Sequence, residues 1–172
     1  MKRIICMTII AVFLISGSTA VSAQESKVAQ LKEKIIDIQN KGQLGFKNFI
    51  LCTNIIGYGQ YVAAETNQVK AGTEIYFYYE PANLFTNRRN GGYHVWFTQD
   101  MILLNANGEV IYEGPEALNF NYQTVSPVLD YYATNSLNLG NLSPGKYTFK
   151  AVIHDKLRKE DAVYTYDFEI VE

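Results

Sequence analysis

The hydrophobic pattern of this chain changes period twice. Ile4 to Ile15 is apolar except for Thr8, with no polar alternation. Val28, Leu31, Ile35 and Ile38 then recur at i, i+3, i+7 and i+10, one stripe of a helix, with Ile36 beside it. The segment Glu25 to Lys41 holds no glycine or proline, and Gly42 after Asn40-Lys41 is the expected stop. Beyond Gly42 the period falls to 2, the spacing of strands.

Phe46 to Ile56 is a run of β-formers, and Thr73 to Glu80 is a second, ended by Pro81. A third, Tyr93 to Leu104, runs into Asn105-Ala106-Asn107-Gly108, where Asn107-Gly108 is a hairpin turn signal and Glu109 to Glu113 the returning strand. Tyr131 to Leu139 is a further strand. In Lys146 to His154, Tyr147, Phe149, Ala151 and Ile153 alternate with Thr148, Lys150, Val152 and His154. In Val163 to Val171, Tyr164, Tyr166, Phe168 and Ile170 alternate in the same way, and the charged turn Asp155 to Asp161 joins these two strands. Each reads as one buried and one wet face.

About seven strands and no second helix predict a mainly β chain: an antiparallel sandwich preceded by one N-terminal α-helix. The irregular stretches Ala82 to Gly92 and Gly114 to Val128 suit crossings between two sheets better than an even meander. The helix stripe needs a partner, since about 17 residues are marginally helical alone in water. Packing on the β domain is preferred to pairing with a second copy, because the stripe spans little more than one and a half heptads.

The first residues change the setting. Lys2 and Arg3 precede the apolar run, and Val21-Ser22-Ala23 offers a small-residue cleavage site before Gln24. Residues 1–23 therefore read as a secretory signal peptide, 24–42 as the helix and 43–172 as the β domain. The apolar run is shorter than the roughly 20 residues of a bilayer span, so no stable membrane span is expected after processing. The expected location is the periplasm or the exterior. With Lys2 and Arg3 removed, 13 basic residues face 17 acidic ones, a net charge of −4 that argues against nucleic acid as a partner. Cys6 lies in the signal, leaving Cys52 alone, so no internal disulfide is expected. No cysteine occupies a lipid-anchor position. Asn141-Leu142-Ser143 is a poor glycosylation site, being followed by Pro144.

Leu142-Ser143-Pro144-Gly145-Lys146-Tyr147 resembles the L-x-P-G-x-Y approach to a late strand of immunoglobulin-like and fibronectin type III-like domains. The resemblance implies that the Tyr147 hydroxyl bonds back to the upstream backbone at a sheet-to-sheet corner. A second pattern is Cys52-Thr53, then Gly57-Tyr58-Gly59-Gln60-Tyr61, then Gly72, Ile75, Tyr78 and Glu80. It is similar to a group of exported bacterial β-sandwich proteins with C-T-x-x-x-G-[FY]-G-x-Y followed by G-x-x-[IV]-x-x-Y-x-E. Together these span about residues 49 to 172 and imply an immunoglobulin-like sandwich, with no activity attached.

Candidate chemistry is sparse. Cys52 sits in an apolar run and reads as a small buried hydrophobe. His94 and His154 stand in no metal-ligand spacing, and no G-x-S-x-G element or phosphate loop occurs, so no catalytic residue, metal or cofactor is expected. Aromatic residues are the richer signal: 22 remain among the 149 after the signal. With Ile75, Phe77 and Tyr79 facing the core, Tyr76 and Tyr78 face outward, as does Trp96 opposite Val95 and Phe97. They form either a binding face for a protein or sugar, or a face covered by the helix stripe. Arg88 and Arg89, in a polar loop ending in Gly91-Gly92, are candidates to grip an anion or a partner's carboxylate. The expectation is a non-catalytic binding or envelope structural protein whose partner is another envelope or secreted protein, or a glycan. The alternative is a small exported enzyme whose residues converge only on folding.

Overall fold

The computed structural model describes residues 16–140 and 142–172, with side chains from residue 22 onward. The basic n-region and apolar core of the expected signal, and Asn141, lie outside the described residues. Among the described residues the chain is mainly β, with one helix. Helix α1 (Ser16–Gln39) is followed by β1 (Gly45–Gly57), β2 (Gln60–Ala63), β3 (Gln68–Lys70), β4 (Glu74–Ala82) and β5 (Asn87–Arg89). After these come β6 (Gly92–Asn105), β7 (Val110–Thr124), β8 (Ala133–Asn138), β9 (Gly145–Asp155) and β10 (Glu160–Val171).

Two sheets result. One has the order β2-β1-β4-β8; the other runs β3-β10-β9-β6-β5, with β7 along the free edge of β6. Every pairing is antiparallel except β3 with β10. Alternation decides which side chains fill the space between the sheets. Leu51, Ile75, Phe77 and Leu137 of the first sheet meet Leu103, Phe149, Ala151, Phe168 and Ile170 of the second. Phe77 and Phe149 stack across the gap with ring centroids 4.1 Å apart. A second cluster joins Tyr79 and Ala133 to Val95, Phe97 and Ile153, closed by Leu44 and Leu84.

One polar link crosses this core. Gln99, fully buried, accepts hydrogen bonds from the Tyr79 hydroxyl (2.7 Å) and Asn135 Nδ2 (3.1 Å), and donates to Asn135 Oδ1 (3.1 Å). A satisfied buried network of this kind ties one sheet to the other in a single register.

Several expectations need correction. Strand β7 runs on through much of Gly114 to Val128, which was expected to be irregular. Gly114 and Pro115 look like a break, but a register shift between Gln99 and Met101 takes up the extra residues. Glu116 adopts φ 47° and donates its amide to Asp100 Oδ1 at 2.8 Å. Such a bulge tolerates proline and lets the strand resume. Residues 125–132 then make the crossing between sheets. Pro81 does not end β4: it pairs with Phe46, beyond the last rung with β8 at Tyr79, so its missing amide costs no bond there. Strands β2 and β3, too short for a clear alternation, were not foreseen.

The helix was expected over residues 25–41. It starts at Ser16, running through the expected cleavage site, and ends at Gln39. Gly42 closes it, its amide bonding Ile38 O (3.1 Å) and Gln39 O (3.0 Å). A Cβ there would meet the Asn83 side chain at 2.5 Å, so close approach makes the position glycine. Around this junction Arg158 donates to the carbonyls of Asn40 (3.2 Å), Gly42 (2.8 Å) and Asn83. Asn40 exchanges side-chain bonds with the Thr86 backbone.

Candidate functional site

The expected aromatic face does not exist as one surface. Tyr76 and Tyr78 lie on the outer face of β4, whereas Trp96 lies on β6 in the other sheet, where Nε1 donates to Asn119 Oδ1 at 3.1 Å. Tyr78 is fully buried. Tyr76 is half-buried, and its hydroxyl donates to Glu74 Oε2 at 2.9 Å. The helix stripe covers neither. Val28, Leu31, Ile35 and Ile38 are 39–70% exposed, and Ile36, beside the stripe, is the side chain the helix buries.

The expected arginine loop is also different. Asn90 and Gly91 both adopt positive φ (51° and 75°), making a tight hairpin turn between β5 and β6. Arg88 is held on α1: Nε meets Glu33 Oε2 at 2.6 Å, and Nη2 meets Asp37 Oδ1 at 2.8 Å and Glu33 O at 3.2 Å. Tyr93 donates its hydroxyl to the same Glu33 carboxylate. These bonds, Tyr93's first, hold the Glu33 carboxyl below its usual range. Arg88 is thus a helix-docking residue, although it is exposed, as is Arg89.

What Tyr78 lies under is more informative. Residues Gly57 to Gln60 turn β1 into β2, with Gly59 at φ 64°. This turn lies over β4, and the Gly59 amide donates to the Tyr78 hydroxyl at 2.9 Å. That hydroxyl in turn donates to Glu80 Oε1 at 2.8 Å. Glu80, 5% exposed, is met by Lys47 Nζ at 3.4 Å, and Lys47 reaches on to Asp130 at 3.2 Å. Around the Tyr78 ring stand Tyr61 (centroids 4.7 Å apart) and Tyr132 (5.8 Å), and Tyr132 meets Tyr58 edge-on at 6.1 Å. The result is a layered patch. Tyr78 and Glu80 form a buried floor; Tyr58 and Tyr132, 46% and 43% exposed, stand on it; Lys47 and Asp130 rim it.

The electrostatics follow from this stacking. Burial pushes the Glu80 carboxyl up, but hydrogen bonds from Tyr78, Asn48 and Lys47 outweigh it, and the carboxyl titrates below its usual value. Burial, with the neighbouring Glu80, pushes the Tyr78 phenol up to about 12. At neutral pH the floor is therefore a carboxylate and a neutral phenol, with the Lys47 ammonium group at its rim. Gly59, Tyr61, Tyr78 and Glu80, scattered in the second sequence pattern, converge here. That pattern was the signal for the site. Lys47, Asp130 and Tyr132 had none, since they come from two other parts of the chain.

A second cluster lies on the outer face of the larger sheet. His154 Nδ1 meets Asp161 Oδ1 at 2.7 Å, and Nε2 meets Asp100 Oδ2 at 3.0 Å. Burial lowers its pKa, but the two carboxylates outweigh burial and raise it. Both ring nitrogens are engaged, so His154 acts as a cross-strand clamp among β6, β9 and β10. His94 bonds Asn121 Oδ1 at 2.8 Å. Cys52 is buried, its thiol directed at Ile50 O (3.6 Å), and burial pushes the thiol pKa up, the opposite of activation. Among the described residues, no group of three or more His, Cys, Asp and Glu is placed to hold a metal ion. Clefts of about 580 Å³ at Asn105, Tyr147 and Asp167, and about 630 Å³ between α1 and Ser126-Pro127, lie away from the tyrosine patch.

No protein-family model matches the chain. No curated protein matches it. Among solved structures it is similar to a family 123 glycoside hydrolase from Clostridium perfringens, studied for glycolipid glycan hydrolysis, at 12% identity and TM-score 0.42 over 63% of this chain. It is also similar to the Pseudomonas fluorescens alkylpurine DNA glycosylase AlkC bound to DNA containing an abasic site analog, at 8% identity and TM-score 0.43 over 90% of this chain. The chain spans 23% and 38% of the length of those two structures. Neither likeness carries an activity over to it.

Proposed function

We propose that this is an exported, immunoglobulin-like binding module that works without catalysis, contacting another envelope or secreted protein or a glycan through Tyr58 and Tyr132. The fold reading draws on strand order. Strands β1, β4 and β8 lie as A, B and E of such a domain, and β6, β9 and β10 as C, F and G, with β7 beside β6 in the place of C′. Tyr147, at the approach to β9, donates its hydroxyl to Ser143 O at 2.8 Å, as a tyrosine corner would.

The observation that carries the binding reading is the construction of the tyrosine patch. Two half-exposed aromatic rings rest on a floor that is hydrogen-bonded throughout. Aromatic rings held rigid lose little entropy on binding, and tyrosine offers both an apolar face and a hydroxyl. The buried carboxylate is unsuited to serve as a general acid, which needs a raised pKa, whereas that of Glu80 is lowered. The basic n-region and Val21-Ser22-Ala23 support export with a mature chain starting at Gln24.

The test is capture from an envelope extract, with the wild-type protein compared against Tyr58→Ala/Tyr132→Ala. Both residues are half-exposed, so the double variant should keep its β circular dichroism and lose the captured partner. Equal capture by both proteins would refute the patch, and N-terminal sequencing of released protein that begins at Met1 would refute processing.

A further inference from the structure

We propose that α1 docks on an anionic lipid surface through the face it turns away from the β domain. The helix meets the domain on one side. Ile36 is buried, Glu33 and Asp37 hold Arg88, and Gln39 donates to Leu129 O at 2.9 Å. Turned away from Ile36, at about 100° per residue, lies the stripe of Val28, Leu31, Ile35 and Ile38, of which Val28 also lines the cleft against Ser126-Pro127. Ile38 alone is 70% exposed. The same geometry sets Lys27 and Lys34 along one margin of the stripe; along the other, Lys32 and Glu25 line the cleft against Ser126-Pro127. Glu33 and Asp37 are withdrawn to the domain side. The outward face is therefore apolar and flanked by Lys27 and Lys34, on a chain whose formal net charge is −2.

Charge selects the occupant. Were a second copy to pair through this stripe, Val28 and Ile35 would take a positions and Leu31 and Ile38 d positions. The flanking g positions within the helix would be Lys27 and Lys34, and one e position Lys32. A parallel pair sets Lys27 against Lys32, and an antiparallel pair sets g lysines against each other, so like charges meet in either case. Anionic headgroups match the same lysines, and the acyl boundary takes the stripe. Among the described residues, no helix is long and apolar enough to cross a membrane.

The test is flotation of the intact protein with phosphatidylcholine vesicles, with and without phosphatidylglycerol. Binding should require phosphatidylglycerol and be released by salt. Lys27→Gln/Lys34→Gln should weaken it roughly 25-fold, about five-fold per lysine at ~1 kcal/mol each. Leu31→Ser/Ile35→Ser should weaken it at least about ten-fold while leaving thermal stability unchanged, because both side chains are exposed. Equal binding to neutral vesicles, or binding that survives both double variants, would overturn the proposal. So would a dimer in sedimentation equilibrium that Leu31→Ser/Ile35→Ser dissolves, which would assign the stripe to a second copy.

Discussion

Replacing Tyr78 with phenylalanine removes one oxygen and unpairs two groups. The hydroxyl donates to Glu80 at 2.8 Å and accepts from the Gly59 amide at 2.9 Å, and the residue is fully buried. A hydrogen bond to a buried charge contributes about 1.5–3 kcal/mol, and a neutral amide bond about 1 kcal/mol. Glu80 keeps Lys47 at 3.4 Å, so it is not left an isolated buried charge. The ring itself stays, in contact with Tyr61 and Tyr132, so no cavity forms. Tyr78→Phe should therefore cost about 2–3 kcal/mol, measured by urea denaturation followed by far-ultraviolet circular dichroism. A pH dependence follows. Because the folded-state pKa of Glu80 lies below the usual 4.5, its contribution is present above 4.5 and is lost as pH falls through the folded value. Removing the phenol returns Glu80 towards 4.5, so the stability gap between wild type and variant should be widest at neutral pH and narrow in acid. A gap under about 0.5 kcal/mol at neutral pH, within the ordinary scatter of surface substitutions, would refute the buried network. So would a gap that does not change with pH.

Two further outcomes are expected. His154 is raised above its usual 6.5 by Asp100 and Asp161 against burial, so its clamp is complete below 6.5 and lost as pH rises through the folded value. The wild type should lose about 1 kcal/mol between roughly pH 6 and pH 8, a modest figure because the Asp161 side chain is exposed, and His154→Gln should flatten that limb in thermal melts. Tyr147→Phe should cost about 1 kcal/mol through the lost bond to Ser143 O. Tyr147→Ala should cost about 3 kcal/mol by also removing the ring stacked on Phe168, and small, equal costs in denaturation would exclude a corner role.

Strand content was legible because one buried face imposes period 2. Phe149, Ala151 and Ile153 are fully buried and the residues between them are not, as their alternation required. Strand β7 was misread for a local reason: Gly114-Pro115 has the composition of a turn, and only the partner strand, through Asp100 and the bulge opposite Glu116, shows that pairing resumes. The helix was recognised, but its docking face was not. A stripe states that four residues share a side, and cannot state that a single Ile36 plus Glu33 and Asp37 outcompete them for the domain.

What the sequence determined by itself was whatever depends on neighbours along the chain: the helix, the strand periods and the Asn107-Gly108 turn. Local sterics and burial period act over a few residues, so composition within a short window suffices. The tertiary structure alone decided which distant groups meet. Lys47, Glu80 and Asp130 share one salt-bridge chain although 50 residues separate the last two. His154 is caught between carboxylates from two other strands. Arg88 looked like a free cation until the helix carboxylates, 51 and 55 residues away, were found on it. Sheet register and crossings fix such meetings, and register is the sum of many weak pairings that no single window of sequence contains.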